Sequence, residues 1–302
     1  MSTFNINDTS SQKGRVIIVT GSNIGLGYET ALELARKEAT VIMACRNMDK
    51  ANAARDKILA SVPNADLVAM KLDLGDLASV RKFSENFLTK YNKLDILINN
   101  AGIMIPPYQL TKDGFESQFG VNHLGHFYLT GLLLERINAT PDSRIVVVSS
   151  LAHTQGEINF DDLQSKENYK AMKAYQQSKL ANIMFAFELQ RRLEKTGHQA
   201  IAVAAHPGVS NTNLGQHVPR ILYYLLLPLF SFMTHSPNAG AMPTLLAALG
   251  NDVKGGEYFG PTGRREMKGP AGRARIAGRA KDTEVAKRLW EVSEELTGIK
   301  IL

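Results

Sequence analysis

The segment Arg15-Val-Ile-Ile-Val-Thr20-Gly-Ser-Asn-Ile-Gly25-Leu-Gly27 decides the fold. Its first half is a continuous apolar run, the pattern of a strand buried on both faces. Its second half carries three glycines, and the apolar positions Ala31, Leu34 and Ala35 beyond them describe a helix over about 25–37. Glycines permit a tight turn and close backbone approach, while a helix N-terminus offers free N–H groups and positive dipole. Strand, glycine turn and helix in that order form a phosphate cradle, so Gly21, Ser22, Asn23, Ile24, Gly25, Leu26 and Gly27 are the expected pyrophosphate loop.

The same alternation continues outward from this segment. Strands are expected at Thr40–Cys45, Leu67–Leu72, Leu94–Asn99, Arg144–Ser149 and Ala200–Ala204, with helices near 78–90, 115–137 and 169–196. Strands separated by helices imply right-handed crossovers. The expected fold is therefore a single-domain α/β Rossmann fold, a doubly wound parallel sheet with helices on both faces. Ligands bind such sheets at the carboxyl ends of the strands, where every motif below falls.

The 302 residues contain no linker or repeat, so one catalytic domain is expected over 15–302, preceded by a flexible polar tail over 1–14. A single cysteine, Cys45, excludes an intramolecular disulfide, and residues 1–14 lack an apolar leader; a cytoplasmic location is expected. The segment 264–281 holds seven basic side chains and one acid, equal to the whole net charge of +6. Its glycines and lack of aromatic platforms read as a mobile, solvated stretch, and no nucleic-acid partner is expected. The run Ile221–Met233 is too short to span a bilayer and is interrupted by Pro228. It is read as part of an apolar substrate lid over about 213–236, with peripheral membrane contact left open.

The end of the second strand selects the cofactor. A carboxylate there suits the ribose 2′-hydroxyl of NAD, whereas an Arg accommodates the 2′-phosphate of NADP. The chain has Cys45-Arg46-Asn47, so NADP(H) is favoured over NAD(H). Asp73, with Leu74, follows the third strand and is placed to accept from the adenine amino group or to cap a helix. Asn100, Ala101 and Gly102 end the fourth strand, where small residues let a flat ligand pass close. Pro207, Gly208 and Val209, with Thr212 beyond, are expected to hold the nicotinamide carboxamide.

Tyr-x-x-x-Lys occurs three times, at Tyr108/Lys112, Tyr169/Lys173 and Tyr175/Lys179. The first follows Pro106-Pro107 and is expected on a loop at the pocket mouth; the second lies at a helix start. Only Tyr175 and Lys179 lie well inside a helix, where i, i+4 spacing puts both on one face. Reducing a carbonyl needs hydride at carbon and a proton at oxygen, and a Tyr with a pKa near 10 exchanges protons slowly at neutral pH. The Lys179 ammonium, together with oxidised nicotinamide, is expected to favour tyrosinate, and it can also bond the nicotinamide ribose. Ser150 is expected to bind the substrate oxygen, with Ser149 the competing choice, since alternation lets only one face the cleft. Asn122, in Gly120-Val-Asn-His-Leu-Gly125, is read either as holding a water that relays protons to Lys179 or as a structural cap. His123 and His126 have no evident third ligand, so no metal is expected.

Together these residues resemble the short-chain dehydrogenase/reductase family over about 20–260. The resemblance implies a Ser–Tyr–Lys–Asn tetrad of Ser150, Tyr175, Lys179 and Asn122. Finer similarity is to the retinol dehydrogenase-like branch, which includes WW-domain oxidoreductases and light-dependent protochlorophyllide reductases. It rests on Ala44-Cys-Arg46, Ser149-Ser-Leu-Ala-His153, Phe160-Asp-Asp-Leu163, His206-Pro-Gly208 and the long Ser150-to-Tyr175 spacing. The implied activity is NADP(H)-dependent interconversion of an apolar alcohol and its aldehyde or ketone. The alternative is a dinucleotide-binding redox sensor or scaffold without turnover. Many relatives assemble through the long helices flanking the fifth strand, so a homo-oligomer is an open expectation.

Overall fold

The structure, a computed structural model, describes residues 4–209 and 235–302. Thr212, the run 221–233 and all of the expected lid except His235 and Ser236 lie outside the described residues.

Eight strands form one sheet in the order β3-β2-β1-β4-β5-β6-β7-β8. They are β1 Val16–Thr20, β2 Thr40–Cys45, β3 Leu67–Lys71, β4 Ile96–Asn99, β5 Arg144–Val148, β6 Ile201–Ala205, β7 Tyr258–Pro261 and β8 Ala271–Arg273. All neighbours are parallel except β7 with β8. The chain moves outward from β1 in both directions, so β1 and β4 flank the crevice where such sheets take ligands.

Alternate residues of each strand enter two separate cores. Ile18, Ile42 and Val147 join one, while Ile17, Val19, Val41 and Met43 join the other. Both faces are therefore dry, as the unalternating strand sequences require. Helices α1 Gly25–Arg36 and α2 Met48–Ser61 follow β1 and β2, and α3 Leu77–Lys90 follows β3. The next helix, α4, begins at Ser117–Phe119, widens to a π turn over Gly120–Leu124 and continues through Gly125–Asn138. Then come α5 Ala171–Lys195, α6 Pro237–Leu249 and α7 Thr283–Thr297.

Two expectations need correction, and the packing of a third region bears on assembly. Residues 4–14 are not a loose tail: Ile6 is buried in the second core, and Lys37 Nζ donates to Asn7 O and Thr9 O. The basic segment 264–281 is not mobile solvent-borne chain. It contains β8, Arg273 Nε donates to Glu257 Oε1 at 2.6 Å, and Arg279 Nη1 donates to Gly156 O at 2.8 Å. Finally, the two helices expected to carry assembly are covered by α7. Trp290 packs against Phe127 of α4 and Phe185 of α5, and a Cβ on Gly131 of α4 would lie 2.7 Å from Ile299 and Ile301.

Candidate active site

A cleft of about 820 Å³ opens at the carboxyl ends of the strands. Gly21, Asn23, Ile24, Gly25, Leu26 and Gly27 line one wall, and Arg46, Asp73 and Leu74 line its far end. Gly21 (φ 67°) and Gly25 (φ 61°) occupy the left-handed region, and a Cβ on Gly27 would lie 2.4 Å from Gly21 O. Ile24 precedes α1 and makes no side-chain cap, so N–H groups of the first turn face the cleft unclaimed. That is the donor set a pyrophosphate needs. Ser22 departs from the expectation: its side chain is buried, 3.5 Å from Cys45 Sγ, and does not line the cleft.

Arg46 stands just past β2 at the cleft wall, with Lys71 beside it. The parallel register places Lys71 opposite Cys45, and Lys71 Nζ donates to Arg46 O. This second cation was not foreseen, although the pairing of β2 with β3 would have shown it. Asp73 is not the helix cap. Its Oδ1 accepts from Gly75 N, whereas Asp76 caps α3 by accepting from Ser79 N, so Asp73 stays at the cleft wall.

Asn100, Ala101 and Gly102 form the back of the cleft, held there by Thr20. Thr20 Oγ1 accepts from Asn100 N and Ala101 N, each at 2.9 Å, and lies 2.9 Å from His126 Nε2. His126 Nδ1 faces the carbonyl of Asn122 at 3.0 Å, so Nδ1 carries the ring proton. Nε2 is then an acceptor for the Thr20 hydroxyl, and every bonding position of Oγ1 is filled. Burial pushes His126 down to about 4, which keeps the ring neutral. Sequence reading missed this hub because its two members are 106 residues apart.

Tyr175 and Lys179 project from one face of α5 into the opposite end of the cleft, beside Ser150. Both serines border the cleft past the end of β5, but Ser149 Oγ is buried and donates to Lys179 O at 2.7 Å, which favours Ser150 as the hydroxyl open to a ligand. The Ser150 hydroxyl starts the short helix Leu151–Gln155 by accepting from Ala152 N. Burial raises the Tyr175 phenol above its usual range, and the neighbouring Ser150 hydroxyl lowers it only in part. Burial also takes Lys179 down to about 8. Without a dinucleotide beside them, burial shifts both groups toward their neutral forms and opposes the expected lowering of Tyr175.

Asn122 lies in the π turn. Its Oδ1 accepts from Ile103 N at 2.8 Å, and its Nδ2 donates to Ile103 O and Ser178 Oγ. Both amide hydrogens are spent, so the side chain pins the 101–103 strand end to α5 next to Lys179. The other Tyr/Lys pairs are dispersed. Tyr169 OH donates to Pro106 O and its ring meets Tyr108 at 5.1 Å, while Lys112 pairs with Asp76. Around Tyr175 the cleft is walled by Met104, Pro106, Pro107, Leu151, Ala152 and Met172, of which Met104 and Met172 were not singled out from sequence. Pro207, Gly208 and Val209 close the same end, as expected.

Phosphate donors at one end and a proton-carrying hydroxyl at the other make this the cleft of an oxidoreductase that uses a nicotinamide dinucleotide. The family model described as short chain dehydrogenase matches residues 15–220, and the chain belongs to that family. Retinol dehydrogenase 12 of Mus musculus is 45% identical over 289 residues, 95% of this chain and 87% of that protein. Retinol dehydrogenase 13 of Homo sapiens is 43% identical over 294 residues, 95% and 86% of the two chains. Among solved structures, an uncharacterized protein from Mycobacterium paratuberculosis superimposes with a TM-score of 0.84 at 43% identity, covering 100% of both chains. The retinol dehydrogenase-like resemblance read from the motifs is borne out.

Proposed function

We propose that the protein interconverts an apolar alcohol and its aldehyde or ketone with NADP(H). The observation that carries this reading is the Tyr175–Ser150–Lys179 group at an apolar end of a cleft whose other end carries Arg46. The uncapped start of α1 and the glycines of the loop fit a dinucleotide pyrophosphate, and Arg46 with Lys71 fits a 2′-phosphate better than a bare ribose diol. When bound, the dinucleotide supplies hydride to the substrate carbon or accepts it.

The chain's own residues handle the proton and the oxygen. Ser150 Oγ donates to the substrate oxygen and holds it beside Tyr175. Tyr175 Oη, a phenol at neutral pH, delivers its proton to that oxygen in reduction and removes one in oxidation. The Lys179 ammonium steadies the tyrosinate left after delivery. Asn122 and Ser149 hold the helix and strand that carry these groups, so the reacting atoms do not have to be ordered in each turnover. Met104, Leu151 and Met172 exclude water and give the substrate its apolar character, a preference in keeping with the retinol named for the mammalian relatives.

The test is oxidation of NADPH and NADH by the wild type and Tyr175→Phe against a panel of apolar aldehydes and ketones. Turnover that prefers NADPH and requires Tyr175 is the expected result. Equal turnover by Tyr175→Phe would remove the proposed proton donor.

A further inference from the structure

The last strand pair and the turn between them reach the cleft through one buried ring. His206 follows β6, and Ser149 N donates to Ala205 O, so the ring sits beside the catalytic end of the cleft. It is fully buried, and Gly260 on β7 makes room for it: a Cβ there would lie 1.9 Å from Nε2. Gly208 N–H donates to His206 Nδ1 at 3.1 Å. Nδ1 therefore presents a lone pair, and the neutral ring keeps its proton on Nε2. That nitrogen lies 3.3 Å from Glu266 Oε2, close enough for attraction though not aligned as a full hydrogen bond. The other carboxylate oxygen, Oε1, accepts from Arg275 N at 2.8 Å.

The backbone that delivers Glu266 is strained. Arg265 (φ 53°) and Glu266 (φ 56°) are consecutive non-glycine residues in the left-handed region. Such conformations persist where the surroundings over-determine them. Here the surroundings are the cofactor loop itself: Val209 N donates to Met267 O at 2.8 Å, and a Cβ on Gly208 would lie 2.4 Å from the same oxygen. His235 adds a third tie, with its Nε2 2.6 Å from Pro207 O.

We propose that Glu266 is a positioning residue for the cofactor: through His206 it fixes the Gly208 N–H, and with it the Pro207–Val209 wall against which the reacting end of the dinucleotide rests. The proposal builds on the dinucleotide-dependent reading above. His206 holds the Glu266 carboxyl below its usual range, helped by Arg275 N, so the group is ionised at neutral pH. An ionised acceptor favours the Nε2–H tautomer, which leaves Nδ1 free for Gly208.

The experiment measures NADPH dissociation constants and melting temperatures for the wild type, Glu266→Ala and Glu266→Gln. Glu266→Ala is expected to weaken NADPH binding by about tenfold while the protein stays folded, because the ring loses its orienting acceptor. Glu266→Gln keeps an oxygen for His206 or Arg275 but not for both, and is expected to weaken binding by about threefold. Wild-type affinity in Glu266→Ala would overturn the proposal. So would equal impairment of both variants accompanied by an equal fall in melting temperature, since that marks a purely structural role. A wild type that binds neither NADPH nor NADH would instead overturn the dinucleotide reading.

Discussion

Lys179 makes the protein less stable than it would be with an apolar side chain in its place, and the size of the effect follows from its surroundings. The side chain is 4% exposed, and its ammonium donates to Val148 O at 3.2 Å. Burial takes its pKa from 10.5 to about 8. At about 1.4 kcal/mol per pKa unit this is about 3 kcal/mol of destabilisation at pH 7, where the group is still charged in both folded and unfolded chains. Lys179→Met removes the charge at nearly constant volume and gives up one hydrogen bond of about 1 kcal/mol. The net expectation is a gain of about 2 kcal/mol, or about 4 °C in melting temperature for a domain of this size, together with loss of activity.

The pH dependence has a fixed sign. A lysine with a lowered folded pKa binds fewer protons when folded than unfolded between pH 8 and 10.5, so wild-type stability on its account rises over that range. The advantage of Lys179→Met is therefore full below pH 8 and fades toward pH 10.5. Melting curves of both proteins without dinucleotide, taken from pH 6.5 to 10.5, measure it. A variant that is less stable than the wild type by the same margin at every pH would refute the reasoning.

Five further outcomes follow from the structure. Arg46→Asp is expected to reverse the ratio of kcat/KM for NADPH over NADH, and Lys71→Ala to weaken NADPH selectively; steady-state kinetics with both cofactors reads each. Thr20→Val leaves Ala101 N and His126 Nε2 without a partner, while Asn100 N keeps Ile98 O, and is expected to cost about 2 kcal/mol, whereas Thr20→Ser restores most of it; denaturant unfolding measures the difference. Because α7 covers α4 and α5, the protein is expected to show no assembly through that face, and the mass from light scattering is predicted to be unchanged by charged substitutions on it. Trp290→Ala is expected to destabilise by about 4 kcal/mol, because the indole is fully enclosed by Phe127, Phe185 and the Arg192 guanidinium; thermal or denaturant melts check it.

The parts legible in the sequence are those governed by local pattern. Strands buried on both faces announce themselves as unbroken apolar runs, and β1, β2 and β5 lie within one residue of where those runs place them. The glycine loop was legible because each glycine answers a backbone requirement, at Gly21 and Gly25 a positive φ and at Gly27 contact with Gly21 O. Tyr175 and Lys179 were legible because helical periodicity fixes their common face.

What escaped is decided by contacts across the chain. Lys71 reaches Arg46 only through sheet register, and the Thr20–His126 hub depends on how α4 lies over β1. The C-terminal quarter was misread for a physical reason too: β7 and β8 are short and contain glycine and proline, and the segments around them carry many charges. Their order comes from pairing with each other and from ion pairs such as Arg273–Glu257, which composition alone does not reveal. The protonation of Tyr175 is likewise a matter of enclosure. Spacing shows that a lysine is near, but only the fold shows how burial shifts both groups.

The most direct test of the account is single-turnover reduction of an apolar aldehyde by NADPH in the wild type and Tyr175→Phe, with dinucleotide binding measured on the same samples. Tyr175→Phe is expected to bind NADPH like the wild type but to reduce the aldehyde at least about 100-fold more slowly, the lower end of what a positioned acid contributes. Comparable reduction rates in the two proteins would contradict it, and the proton would have to come from somewhere other than the hydroxyl at the head of this cleft.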